Sequence, residues 1–397
     1  MTDGVSTITE TYSIHSPAAI RYGVGATEEL VEFATTEEVE RALVVTDEDI
    51  VAAGVVEPVV TALERADVTV STYDGVKPEP KLSMVEDVVS VLAEDDFDLV
   101  LGVGGGSSMD TAKVAAALAV HDVPIRSVVG MGNVPGKGLP LVLLPTTAGT
   151  GSEVTHIGVF SDAQDGGNKV VVYSEHLFAD LAIVDPALTE SLPKPVAAAT
   201  GMDALTHAIE AYVTMLRTPY SDGLARQAIE LLGNNLRAAV HQGPNNDEAR
   251  YNVSFAATIA GQAFVNSGLG AVHALTYPLG IEYGIGHGLA NAVLLPHVMA
   301  YNLPAEPERY AEIARLLGEE RESGDTTLDM AKKSVDAVFA LNEDIGIPTQ
   351  IRDLGEIDRE EFTDFADTCF EYSKHNIDRN PRSLTREDVV EIFENAY

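Results

Sequence analysis

Four side chains in the C-terminal half could share one metal ion. Asp203 and His207 stand four residues apart in Gly-Met-Asp-Ala-Leu-Thr-His-Ala-Ile-Glu-Ala-Tyr, residues 201–212. That segment has helical periodicity, so both side chains project from one face. His273 follows in Gly-Ala-Val-His (270–273) and His287 in Gly-Ile-Gly-His-Gly (284–288). One carboxylate and three imidazoles suit a divalent first-row cation and leave a position open for a substrate, which is the set-up for Lewis-acid chemistry. A single His among apolar residues is more often a core residue. Three of them flanked by glycines, beside an i,i+4 Asp/His pair, read instead as one site. His297 in Leu-Leu-Pro-His reads as structural or supporting, and His121, His156, His176, His241 and His375 show no such grouping.

Two glycine-rich turns in the N-terminal half could hold phosphates. Residues 102–110, Gly-Val-Gly-Gly-Gly-Ser-Ser-Met-Asp, follow an apolar strand and open a helix. Gly104, Gly105 and Gly106 let the backbone approach an anion, and the free N–H groups from Ser107 onward, with the helix dipole, bind it. Asp110 closes the motif. A tight turn without a ligand is the competing explanation. Residues 145–153, Pro-Thr-Thr-Ala-Gly-Thr-Gly-Ser-Glu, also follow an apolar strand. Their hydroxyls (Thr146, Thr147, Thr150 and Ser152) suit a loop wrapped around a ribose–phosphate, although a Thr-capped turn explains them equally. Asp47 stands just past Ala-Leu-Val-Val-Thr (42–46). A carboxylate there accepts from adenosine ribose hydroxyls and repels a 2′-phosphate, which favours NAD over NADP; a helix N-cap is the alternative.

These groups need elements to position them. Apolar runs at 42–46, 68–73, 97–103, 139–144 and 181–184 read as strands, with amphipathic stretches such as 83–93 and 109–120 between them. That alternation predicts a Rossmann-like α/β domain, a parallel sheet with helices on both faces, over residues 1–190. Beyond it the periodicity turns helical, at 195–214, 220–240, 247–267, 306–317, 326–341 and 386–397, and an all-α domain is expected over 191–397. The boundary falls near 188–195, around Asp185-Pro186 and Pro193-Lys194-Pro195.

The charge excludes some partners. The 397 residues hold 62 acidic against 25 basic side chains, for a net charge of −37. Only nine of the basic residues are Lys. Such a surface repels nucleic acid and anionic membranes. It is expected to suit a salt-loving organism, because molar salt shortens the Debye length to about 3 Å and screens the self-repulsion. No long uncharged apolar run appears, and the start, Met-Thr-Asp-Gly-Val-Ser-Thr-Ile-Thr-Glu, lacks the basic and apolar regions of a leader, so a cytoplasmic location is expected. The lone Cys369 permits neither an intrachain disulfide nor a thiolate metal site and reads as a core residue.

At these motifs the chain resembles the iron-containing (group III) alcohol dehydrogenases. The pieces that carry the resemblance are GGGSSMDTAK (104–113), LPTTAGTGSEVT (144–155), GMDALTHAIEAY (201–212) and HGLANAVLLPHVMAYN (287–302), in order along nearly the whole chain. The resemblance implies the dehydroquinate synthase-like fold with the site between the two domains. It implies one divalent metal, Fe²⁺ or in some members Zn²⁺, on Asp203, His207, His273 and His287. It assigns Asp47, Gly104 to Ser107 and Thr146 to Thr150 to NAD, places Lys169 near the cofactor ribose, and suggests a homodimer. Many members carry a further His four residues after the third ligand, discussed as part of a proton path; here that place is Tyr277, a poor base near neutral pH. The implied reaction is hydride transfer between NAD and a small alcohol or aldehyde. No Lys or Arg occurs between Arg250 and Arg309, which favours an uncharged substrate. The alternatives are a glycerol or polyol dehydrogenase and a dehydroquinate-synthase-like lyase, which needs a basic phosphate pocket.

Overall fold

In the computed structural model, residues 11–162 and 168–397 are described; the first ten residues, read above for a leader, lie outside them. Among the described residues the N-terminal half holds nine strands: β1 (Ile20–Tyr22), β2 (Arg41–Val45), β3 (Thr69–Tyr73), β4 (Leu99–Gly104), β5 (Gly130–Met131), β6 (Leu141–Pro145), β7 (Ile157–Asp162), β8 (Asn168–Tyr173) and β9 (Leu181–Val184). Six of them form one parallel sheet in the order β1-β9-β6-β4-β2-β3. Helices cover both faces. Ala42 and Val44 of β2 join α1 (Glu29–Thr36) and α3 (Glu57–Glu64), which follows the short α2 (Glu48–Ala52). Leu43 and Val45 join α4 (Leu82–Leu92) and α5 (Gly106–Leu118) on the other face. Side chains of a strand alternate between faces, so burial on both sides makes the strand an unbroken apolar run.

The order of the sheet locates a crevice. From β2 the chain goes outward to β3, then crosses over β2 to β4 and continues to β6 and β9. The switch point lies between β2 and β4, where ligands of open α/β sheets bind beyond the carboxyl ends of the strands. Asp47 stands two residues beyond β2, and Gly104 ends β4.

A second sheet, β5-β8-β7, was not among the expected strands. β7 and β8 form an antiparallel hairpin whose residues are largely half-buried, so no continuous apolar run marks it.

From Lys194 on, the described residues are helical: α6 (Lys194–Val213), α7 (Pro219–Gln242), α8 (Asp247–Val265), α9 (Ala271–Tyr283), α10 (His287–Asn302), α11 (Pro307–Leu316), α12 (Thr327–Ile345), α13 (Phe362–Tyr372), α14 (Lys374–Arg379) and α15 (Arg386–Ala396). Their apolar faces make one large core that includes Cys369. No described helix is long and apolar enough to cross a membrane.

Backbone contacts join the halves. A Cβ on Gly149 would stand 2.6 Å from Thr200 of α6, and one on Gly151 would stand 2.6 Å from the Gly261 Cα of α8. The loop 145–153 is thus pressed against two helices at distances only glycine allows.

Candidate active site

Helix α6 sets the frame. Asp203, His207 and Glu210 fall at i, i+4 and i+7, one stripe of a helix whose later residues are all buried. His273 lies in the first turn of α9, and His287 begins α10. The three imidazole Nε2 atoms surround one oxygen, Asp203 Oδ1: His207 at 3.8 Å, His287 at 3.9 Å and His273 at 4.0 Å. Asp203, His273 and His287 can each offer an atom within 4.8 Å of the others. Bonds of 2.0–2.2 Å to a tetrahedral cation imply donor separations of about 3.4 Å, so this donor set fits a divalent metal after a small contraction. The rings of His207 and His273 stack at 4.8 Å.

Protonation favours the same use. Burial pushes His207 down to about 4 and His287 down to about 3. Lys169 adds to the lowering at His287, so its charge reaches the site. Burial works against a charge on Asp203, but the imidazoles and the Asn291 amide outweigh it and hold the carboxyl below its usual range. Neutral imidazoles and an ionised carboxylate are the forms that bind metal.

Two supporting residues were missed in the sequence. Glu210 Oε2 accepts from His273 Nδ1 at 2.6 Å, and Oε1 accepts from the Val272 N–H at 2.6 Å. The first bond fixes the tautomer that turns the Nε2 lone pair into the site. The second satisfies an otherwise orphan donor at the start of α9 with a carboxylate, where the helix dipole favours one. The signal was present, since a carboxylate seven residues after Asp203 on an apolar helix faces the same way. Asn291 is the other: its Nδ2 donates to Asp203 Oδ1 at 2.6 Å and lies 3.1 Å from His287 Nε2 and 3.3 Å from His273 Nε2. His297 is elsewhere, 3.3 Å from the Thr349 carbonyl oxygen.

The nucleotide side is equally compact. Gly104 has φ +151, and a Cβ there would stand 2.6 Å from Ser108 Oγ and 3.7 Å from Asp47 Oδ2. Gly105 and Gly106 face Thr147 and Thr150 in the same way, at 3.7 and 3.1 Å. The two glycine-rich turns therefore share one surface, with Ser107 in the first turn of α5. Thr46, Ser108, Thr146 and Thr147 have buried hydroxyls without a protein partner. Unpaired hydroxyls at the ends of β2, β4 and β6 suit a ribose–phosphate. Asp47 Oδ1 N-caps α2 through Ile50 N at 2.9 Å, while Oδ2 looks toward Gly104.

Asp110 and Ser152 are spent elsewhere. Asp110 accepts from Ser152 Oγ at 2.6 Å, from Val159 N at 3.0 Å and from Lys113 Nζ at 3.0 Å. Lys113 is fully buried and also donates to Ser152, Thr155 and the Ile157 carbonyl. This network ties α5 to the second loop rather than offering groups to a ligand.

Tyr277 sits one turn after His273 on α9. Burial raises its pKa further above the phenol value, so it is less of a base than the sequence alone suggests. Tyr277→His should shift the alkaline rise of the kcat/KM profile down by about 3 pH units or more. An unchanged profile would remove this position from the proton path.

Residues 17–186 match the model of the iron-containing alcohol dehydrogenases, and residues 197–397 match that family's C-terminal model. The chain belongs to the iron-containing alcohol dehydrogenase family. Long-chain-alcohol dehydrogenase 1 of Geobacillus thermodenitrificans is 41% identical over 386 residues, 96% of this chain and 95% of that one. A crystal structure of 1,3-propanediol oxidoreductase superposes with a TM-score of 0.93 at 38% identity, covering 98% of this chain and all of that one. The sulfoacetaldehyde reductase of Bifidobacterium kashiwanohense, in complex with NAD+, superposes with a TM-score of 0.88 at 31% identity over 98% of this chain and 99% of that one. The protein is thus an NAD-linked alcohol dehydrogenase of the iron-containing type, with the α/β plus all-α architecture of that family. The lyase-like alternative falls away.

Proposed function

We propose that the enzyme interconverts small, uncharged primary alcohols and their aldehydes. Asp203, His207, His273 and His287 would hold one divalent metal, Fe²⁺ in preference to Zn²⁺. Asp47, Gly104 to Ser107, Thr146, Thr147, Thr150 and Lys169 would hold NAD. The observation that carries the reading is the ring of three imidazoles around Asp203 Oδ1. When bound, the metal lowers the pKa of the alcohol and the nicotinamide takes the hydride. The protein's part is alignment. Glu210 holds His273 in one tautomer, Asn291 holds the Asp203 carboxylate, and the paired glycine turns let backbone amides meet the pyrophosphate. Helices α9 and α10 bring no Lys or Arg, which supports an uncharged substrate. The family resemblance supports a homodimer in the cytoplasm.

The test is NAD reduction with a panel of short primary alcohols and diols, on protein stripped and reloaded with Fe²⁺ or Zn²⁺, at about 3 M KCl to screen the acidic surface. Turnover of simple alcohols with restored metal is expected. No turnover with either metal, while NAD still binds, would overturn the reading.

A further inference from the structure

Glu79 adopts a left-handed backbone, with φ 52, although it is not glycine. Strain of this kind collects at functional sites. Its neighbours are Pro78 and Pro80, and the segment is docked on the β7–β8 hairpin: Ser161 N donates to the Pro80 carbonyl at 2.9 Å, and Lys81 bridges Ser161. Ser161 pairs across the hairpin with Lys169. Glu79 and Lys169 are thus positioned by one small sheet, and their charged ends meet, Nζ to Oε1, at 3.7 Å. That is too long for a hydrogen bond and close enough to cancel charge.

The meeting point faces the catalytic helix. A Cβ on Gly280 would lie 3.6 Å from Lys169 Nζ and 4.0 Å from Glu79 Oε1. Gly280 is seven residues after His273 and three after Tyr277, on the same stripe of α9. The charge of Lys169 is felt at His287, so the pair lies within electrostatic reach of the proposed metal site. Gly280 is buried and puts only backbone against the pair, and α9 and α10 bring no cation of their own.

We propose that Glu79 sets the charge of the substrate by neutralising Lys169, so that the site turns away anionic aldehydes and accepts uncharged ones. With Glu79 present, an incoming carboxylate or sulfonate meets a cation already paired and a second carboxylate beside it. Without it, Lys169 becomes the counter-ion of the substrate's far end. The inference rests on the alcohol dehydrogenase reading and names its substrate class.

The test compares kcat/KM for propanal with that for sulfoacetaldehyde and succinic semialdehyde, with NADH, at the lowest ionic strength the enzyme tolerates. E79Q should raise the anionic-to-neutral ratio by about tenfold or more, the scale of one charge-assisted contact. E79N should do the same without backbone strain, because Asn tolerates the left-handed region. K169M added to E79Q should remove the gain. The KM for NADH is followed in parallel, since Lys169 is also among the residues proposed to hold NAD. An unchanged ratio in both Glu79 variants, or a fall for both substrate classes alike, overturns the proposal. Calorimetric binding of 3-hydroxypropanesulfonate to each protein's NADH complex, where the alcohol has no hydride acceptor, gives a second readout that needs no turnover. Tighter binding by both Glu79 variants supports the charge filter even if the alcohol dehydrogenase reading fails, and equal binding sinks it even if that reading holds.

Discussion

Replacing Asp203 with Ala should abolish alcohol oxidation and strip the protein of its metal. Asp203 Oδ1 is the hub of the site, within 4.0 Å of all three imidazole Nε2 atoms, and it is the carboxylate among the four proposed ligands. Without it the dication would face neutral imidazoles alone, with no anionic ligand to offset its charge. Bound metal contributes several kcal/mol to stabilising charge in the transition state, so turnover should fall on the order of a thousandfold or more. His273→Ala should act in the same direction. The check is metal content per chain by mass spectrometry alongside NAD reduction. Wild-type turnover in Asp203→Ala would remove the metal from the reaction.

Glu210 should be the most consequential residue that does not itself reach the metal. Glu210→Gln keeps the shape but removes the charge that fixes the His273 tautomer. Partners of this kind alter metal affinity or activity by about 10- to 100-fold. Glu210→Ala goes further, because it leaves the His273 Nδ1–H and the Val272 N–H buried without acceptors. Each orphan costs about 1–3 kcal/mol, so the Ala variant should also melt earlier. Competitive metal titration of Glu210→Gln, with thermal unfolding of both variants, separates the two effects. Unchanged metal affinity in Glu210→Gln would reduce Glu210 to a helix cap.

The central sheet was legible because burial on both faces leaves no polar residue to break the runs. β2, β4, β6 and β9 appear in the sequence within one or two residues of their observed ends. The hairpin β7–β8 was not legible, since its half-buried faces mix Lys169, Asn168 and Ser161 with Val and Phe. The two helices that matter most to the site, α9 and α10, were absent from the expected helices although their histidines were singled out. Each carries an interior proline, Pro278 or Pro296, and each is buried on nearly every side. A helix with no polar face has no periodicity to read, and proline argues against it. The candidate ligands could still be found, because Gly and His spacing survives without the element. Glu210 left a signal in its spacing from Asp203, but Asn291 did not, since nothing in its own segment shows which residue it will meet across the fold. Asp110 and Ser152 look like ligand groups in a glycine-rich context, and only the buried amine of Lys113 explains why they are consumed internally.

The glycine contacts between the two halves have a thermodynamic consequence. Gly149 rests on Thr200, one turn before Asp203 in α6, so a shift of the nucleotide loop moves the helix that carries two proposed ligands. With the proposed ligands in place, dinucleotide occupancy and metal occupancy are expected to be linked variables. Whatever factor loaded metal adds to the affinity for NAD, bound NAD adds to the affinity for metal, because the two routes to the ternary state must sum to the same free energy.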